Sequence, residues 1–575
     1  MQKKITRRQA IKTLGTGTLA VSILPLWACS PMARKNALGD SFAGSGMSYL
    51  DSRRARFPSI SPIQRDIAAI TPREFSGDNP VRPHEALWAK DAFLQARGGI
   101  PAPSEQAEVV IVGGGISGLF SAWLMKEQQP IVLEQAPRFG GNSRGERWNG
   151  IDYSIGAAYF MEHEEDSEIY TLFKELGLYD LCRTKEVDDP VYFNNQLHDT
   201  FWEGSTDPAN AKQFIKLARH FADMNKNHSG LIYPEIPAED AKMRSYVNKL
   251  DKESFHAYMK RINGGPLHPH INTVLEHYCW STLAAGMKDV SAAVALNAYA
   301  AEFGKVYVAP GGNSRLAERT MEKIVEYMPI ENLRSDALVV DVRVVGKSVH
   351  VTYSNPYGVM KTIEAKTCIM ACPKFVVGKV LHGIEPARAK AISQLNYHPY
   401  LVANVCLNKK IKAEFYDAFL MKDGKVDSQD LVGSSRRHQS TDMVLATFAS
   451  PTASSTILTL YRPLPWRAAR AEIYADGSYD RARAEFEREI RTEILPIVGA
   501  SVSDIADLRI TRWGHPIPVG APGMIHRGVA EAAHQPFKGR VFFVEQDNWM
   551  LPAIETCATE ALRWTPKARA LVDKG

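Results

Sequence analysis

Val109 to Val112 form an unbroken apolar run, the pattern of a strand buried on both faces. Gly113, Gly115 and Gly118 follow as G-x-G-x-x-G, and Leu119 to Met125 continue at helical spacing. A second buried strand, Ile131 to Leu133, ends at Glu134. This order of strand, glycine turn, helix and strand predicts the opening of an α/β domain. Downstream, IYTLFKELGLYDLC and AKQFIKLARHFADM place apolar residues at helical spacing, so the stretch from about 160 to 295 reads as helix-rich. The run CIMACP, which holds Cys368 and Cys372, reads as another buried strand. Upstream of Glu105 the pattern fades. Residues 30 to about 105 are rich in Ser, Gly, Pro and Arg, and predict an extended leader over the surface with short helical pieces such as EALWAKDAFLQA.

The glycine turn carries chemistry. Gly113 permits the tight turn, Gly115 lets a pyrophosphate approach the backbone, and Gly118 lets the helix pack close to the strand. The pyrophosphate then meets unpaired amides at the helix N-terminus, around Ile116 and Ser117. Glu134, with Gln135 beside it, is placed to accept hydrogen bonds from ribose hydroxyls. These residues predict a bound dinucleotide.

The next stretch indicates which one. Ala136-Pro137-Arg138-Phe139-Gly140-Gly141-Asn142-Ser143 resembles the second glycine-rich turn of the flavin-containing amine oxidase superfamily, which also holds protoporphyrinogen oxidases and phytoene-type desaturases. The resemblance implies FAD, with Arg138, Gly140, Gly141 and Asn142 against its pyrophosphate and ribityl chain; Asn142 stands where the family has arginine, and Arg144 is a substitute. It continues in pieces from about residue 106 to 568. Trp148 to Gly156 resembles the strand after the turn, and Pro310 to Leu316 resembles a glycine turn leading back into the FAD domain. Val339 is similar to a hairpin valine that pairs with adenine, and AKTCIMACP to a strand that ends against the cofactor. Arg540 to Asp547 resembles the last strand and acidic turn; Asp547 is the expected ribityl ligand, with Gln546 as competitor. Ile554 begins a stretch that resembles the final helix, whose positive end stabilises negative charge on the reduced flavin. Leu250 to Phe255 is similar to a helix start in the family's substrate-binding part, with Asp251 read as a plain N-cap.

The implied architecture is a Rossmann-like FAD-binding domain with an inserted α+β substrate-binding domain. The expected division is 1–29 signal, 30–105 extension, 106–160, 295–375 and 511–570 for FAD, and 161–294 and 376–510 for substrate. The resemblance implies an oxidoreductase that takes a hydride equivalent from an amine or amino acid. Dehydrogenation of a carbon–carbon bond is the alternative, and an FAD-stabilised binding or assembly protein a third reading. Two family features are missing. The lysine expected near the flavin is replaced by Asn404, and the aromatic residue before the final helix by Ala553. His398 and His515 are the remaining acid–base candidates. Trp513 and Trp549 read as core or flavin-wall residues.

Composition adds bounds. The chain has 575 residues, 45% hydrophobic and 23% charged, with a net charge of +5, as for a globular protein of two or three domains. No basic run with interleaved aromatics points to nucleic acid. The seven cysteines lack zinc-ligand spacing, and no metal or disulfide framework is expected. The acidic cluster Glu162 to Asp166 reads as a solvated loop or helix start. Finally, the N-terminus resembles a twin-arginine export signal at Arg7-Arg8, and Leu26-Trp27-Ala28-Cys29 a lipoprotein processing site. The expected partners are therefore a small-molecule substrate, the twin-arginine machinery and, through Cys29, a membrane on the periplasmic side of a bacterial envelope. Tight FAD binding suits that address, because a protein exported folded takes its redox cofactor with it.

Overall fold

The apolar run from Val109 is the inner half of a strand, Glu105–Val112, whose last four residues are all buried. The computed structural model describes residues 57–65, 74–79, 81–185, 189–413, 415–422, 439–464 and 466–573; the twin-arginine segment and Cys29 lie outside the described residues. Everything below belongs to the unit from Ser59 onward.

Glu105–Val112 lies in a seven-stranded sheet, parallel to Ile131–Leu133 on one side and to Met360–Met370 on the other. Leu333–Arg334 extends it beyond Ile131–Leu133, and Val541–Phe543 pairs in parallel with the end of Met360–Met370. An antiparallel meander, Leu338–Val345, Ser348–Ser354 and Met360–Met370, completes it. The helix Ile116–Leu124 is buried over its first eight residues because it is covered by the helices Asn313–Tyr327 and Ile554–Val572. This explains why its sequence is apolar all round rather than striped.

A second sheet of eight strands carries the cap. Its order is Gln196–His198, Val191–Phe193, Asp417–Lys422, Asp442–Leu445, Thr456–Pro463, Tyr397–Leu407, Ile505–Pro518 and Ser76–Gly77. Every residue of Tyr397–Leu407 is buried, because each face meets a different core. Leu401, Ala403, Val405 and Leu407 pack into the cap with Leu458, Leu460 and Phe486. Tyr400, Val402 and Cys406 pack the other way, against Ile151, Tyr153, Ile155 and Trp513. The strand Ile505–Pro518 runs across the expected boundary at 511 and stays paired with Tyr397–Leu407 as far as Pro518.

The region before Glu105 is more than a surface leader. Besides the helices Val81–Trp88 and Lys90–Gln95, it adds a strand to each of two sheets. Ile63–Gln64 pairs with Gly145–Glu146, and Ser76–Gly77 with Thr511–Arg512. The Arg65 guanidinium donates to both oxygens of Glu318, at 2.5 and 2.7 Å. Asp251 is not an N-cap: Ser254 caps the helix Phe255–Asn263, while the buried Asp251 carboxylate accepts from the amides of Ile525 and His526. The described cysteines are free thiols. Among the described residues no group of acids, histidines or cysteines is arranged to hold a metal, and no helix is long and apolar enough to cross a membrane.

Candidate active site

The two glycine turns face each other. The Gly140 amide donates to the Gly114 carbonyl at 2.8 Å, and Gly115 bridges Gly140. A Cβ on Gly118 would fall 1.9 Å from the Gly113 carbonyl, so only glycine lets the helix start this close to the strand. Gly141 has φ +57°, and a Cβ there would reach 3.0 Å from the Cα of Gly115. The helix that begins at Ile116 has Gly115 as its cap, with no side chain to satisfy the first amides of Ile116, Ser117 and Gly118. These amides and the facing turn form a backbone-lined cradle of the kind a pyrophosphate needs.

Glu134 lies at the rim. Its carboxylate accepts from the amides of Gly114 and Ala136, both at 2.8 Å, and a second lone pair on each oxygen is left for a sugar hydroxyl. Burial pushes its pKa up, against the pull of those two amides. The Ala337 amide donates to the Glu134 carbonyl, and Val339, two residues on in the strand Leu338–Val345, is buried. Gln135 is exposed. Arg138 donates to the Ser61 carbonyl at 3.3 Å. Asn142 and Gln546 are both spent on one acceptor, the Pro516 carbonyl, at 2.8 and 2.7 Å. Arg144 donates to the carbonyls of Gly141 and Gly77 and lies 4.8 Å over the Trp513 ring.

Asp547 is 1% exposed. Its Oδ2 accepts from the Lys374 amide and the Tyr397 hydroxyl, but its buried Oδ1 has no protein partner. The helix Ile554–Val572 likewise starts without a side-chain cap, and the buried Thr556 hydroxyl in its first turn is unpartnered. The turns, the uncapped helices and the orphaned oxygen of Asp547 are a donor and acceptor set that fits FAD. Behind Asp547 the Lys374 ammonium is buried between Glu545 and Asn548. Glu560 is fully buried nearby, accepting from the indoles of Trp549 and Trp564, both at 2.9 Å.

The three catalytic candidates do not converge. His398 lies tilted against Trp280 with ring centroids 5.5 Å apart, whereas His515 lies against Phe375 at 4.6 Å. Burial, aided by Arg470, lowers both pKa values to about 3, so each imidazole is neutral and weakly basic. Asn404 is fully buried and accepts from Thr459 at 2.7 Å. It stands four residues along its strand from Tyr400, the register partner of Trp513, a rise of about 13 Å. Trp549 is committed to Glu560 and His534 and forms no cage. In the acidic cluster, Glu162 pairs with Lys305, while the His163 side chain is buried against Phe160 and bonds Tyr179.

A different constellation sits in the cap. The Tyr461 hydroxyl donates to the Gly156 carbonyl at 2.8 Å, tying the eight-stranded sheet to the loop after Ile151–Ser154. Around it Tyr159 meets Tyr416 edge-on at 5.8 Å, and Tyr400 meets Tyr461 at 5.9 Å. Tyr159, Glu302 and Tyr461 are half-buried here. Glu302 accepts from Tyr159 at 2.8 Å, and burial raises its pKa to about 7. Asp417 and Asp442 are buried at the starts of adjacent strands. Burial and their mutual repulsion push Asp417 up, and burial lifts Asp442 to about 7. Lys185 lies close by, 2.5 Å from Asp189. Sequence reading passed over these acids, although a lone Asp heading each of two apolar runs, DAFLM and DMVL, was a visible signal.

Comparisons with known proteins agree with this arrangement. The family of flavin-containing amine oxidoreductases matches residues 116–539. The chain is 23% identical over 519 residues to the oxidoreductase PigB of Serratia sp. (strain ATCC 39006), covering 80% of this chain and 76% of that one. It is 23% identical over 324 residues to an L-amino-acid oxidase of Gloydius halys, covering 53% of this chain and 60% of the relative. A redesigned putrescine oxidase superposes with a TM-score of 0.61 at 16% identity, over 81% of this chain and 100% of that chain, which speaks for the fold alone. The chain belongs to the family of flavin-containing amine oxidoreductases and is an FAD-dependent oxidoreductase enzyme.

Proposed function

We propose that this enzyme oxidises an amine or amino acid and acts on the periplasmic side of a bacterial envelope. The observation that carries the amine reading is the cluster of phenols and carboxylates joined to the Gly156 loop by Tyr461. Such a lining attracts a cationic nitrogen and offers nothing to a long apolar chain. FAD, when bound, accepts the hydride equivalent from the carbon next to nitrogen.

In this reading the backbone around Gly113, Gly115, Gly118, Gly140 and Gly141 holds the pyrophosphate, and Glu134 the ribose. Asp547 accepts a ribityl hydroxyl through Oδ1. The uncapped amides at Ile554 face negative charge on the reduced cofactor. The cap orients the substrate and excludes water. The ammonium sheds one proton before its carbon yields the hydride, and Glu302, with a pKa raised to about 7, is better matched to take it than the weakly basic His398 and His515 or the amide of Asn404.

The test is anaerobic mixing of the FAD-loaded protein with amines and amino acids while the visible flavin band is followed. Bleaching by one class supports the reading. A flavin that dithionite reduces but no amine or amino acid bleaches turns it toward carbon–carbon dehydrogenation. For the address, changing Arg7 and Arg8 together to Lys holds the protein in the cytoplasm, and Cys29→Ala moves it from the membrane fraction to the soluble periplasm. Unchanged fractionation in both variants removes the export and anchoring proposal.

A further inference from the structure

We infer that Asp417 and Asp442 together receive the cationic nitrogen of the substrate, and that the substrate is an amine without a carboxylate rather than an amino acid. This rests on the amine reading above and narrows it. The two strands pair antiparallel, with Asp417 opposite Val444 and Phe419 opposite Asp442, so the aspartates are diagonal neighbours on one face, about 7–8 Å apart at Cα. One cation between them reaches both carboxylates.

The site has vacant bonding capacity that such a guest would fill. Asp417 is 8% exposed, and its Oδ1 has no partner; Tyr416, the preceding residue, is 2% exposed, and its hydroxyl has none either. An ammonium brings donors for the carboxylate and for the phenol oxygen. Asp442 is differently placed, since its Oδ1 takes the Thr441 hydroxyl at 2.5 Å. It adds charge to the site more than open valence.

Charge decides against an amino acid. Asp189, Glu302, Asp417 and Asp442 act on one another and on Lys185, which is the cation among the described residues that faces them. Lys185 is already bonded to Asp189. A substrate carboxylate entering here would meet further carboxylates with no described cation left to pair it, and burying an unpaired charge is costly.

The experiment uses the FAD-loaded full chain and matched pairs that differ by one carboxylate: phenethylamine against phenylalanine, isoamylamine against leucine, cadaverine against lysine. Apparent affinity is read anaerobically from the flavin spectrum. The expected result is binding of the amine at least 100-fold tighter than of its amino acid in every responsive pair. Asp417→Asn and Asp442→Asn should each weaken the amine at least tenfold with the flavin spectrum and thermal midpoint preserved. Amino acids that bind or bleach as well as their amines overturn the inference while leaving nitrogen oxidation standing. Unchanged amine affinity in both variants overturns the assignment of the aspartates. A flavin that responds to no member of any pair overturns the amine reading, and this inference with it.

Discussion

Two of the buried charge clusters among the described residues differ in how far the chain's own cations and donors offset their acids. Behind the cofactor cradle, Lys374 is fully buried against Glu545 and Asn548, and Glu560 accepts from two indoles and from Arg563. Burial and the neighbouring Asp547 push Glu545 up despite Lys374, whereas at Glu560 His534, Arg563 and the donors outweigh burial and hold the pKa below the usual value. In the cap, burial and repulsion win: Asp417, Asp442 and Glu302 are all raised, and Lys185 is shared with Asp189. The first cluster is complete within the chain and serves the fold. The second is incomplete until a cation arrives, which marks it as a binding site.

The sharpest way to break this contrast is to remove the cation of the complete cluster. Lys374→Met leaves Glu545 buried without its partner and should cost about 3–5 kcal/mol. Denaturant unfolding measures it, and a loss below about 1 kcal/mol would erase the distinction.

The converse change in the cap should stabilise. Glu302 has a folded-state pKa of about 7, above its ordinary 4.5, so its protonated form is the one folding favours. Its contribution is fully present below pH 4.5 and is lost as pH rises through 7. Glu302→Gln, which does not titrate, should therefore match the parent at pH 4 and exceed it at pH 8 by up to about 3 kcal/mol. A variant less stable than the parent at pH 8 would place Glu302 with the complete cluster.

Substrate binding sharpens the contrast from another side. An amine is cationic throughout the neutral range, whereas Asp417 and Asp442, surrounded by Asp189, Glu302 and Lys185, hold protons that the cation must displace. Affinity should rise with pH, by up to about tenfold per unit, as Asp442 loses its proton around pH 7. Titration of a non-bleaching amine followed through the flavin spectrum gives this profile, and a flat one removes the proton-holding pair. The smallest effect is expected at the link between cap and loop. Tyr461→Phe loses one hydrogen bond to Gly156 and should lower stability by about 1 kcal/mol with a slight shift of the flavin band.

What could be read from the sequence follows the same contrast. The cofactor cradle was legible because a glycine turn is encoded within a few residues: Gly113, Gly115 and Gly118 are spaced by the turn itself, and Glu134 ends the next strand. The continuous apolar runs gave the buried strands for the same local reason. The cap site was not legible, because Asp417, Asp442, Glu302 and Lys185 meet only through sheet pairing and helix packing. Asn404 shows the limit of position-matching, since a residue at the expected place on a strand ended up bonded to Thr459. Asp251 looked like a helix cap by sequence, yet its carboxylate serves amides near Ile525, far along the chain.

The segment before Glu105 carries a consequence for how the enzyme is assembled. Ser61 and Arg65 are held by Glu318, and the Ser76 hydroxyl meets Thr511, a residue 435 positions later. These early residues can take their places only once their distant partners have been made, and such non-local contacts are slow to form. A segment made early is thus fastened to elements made much later, with Pro62 against Gly140 of the cofactor cradle and Asp78 accepting from Gly514 beside Trp513.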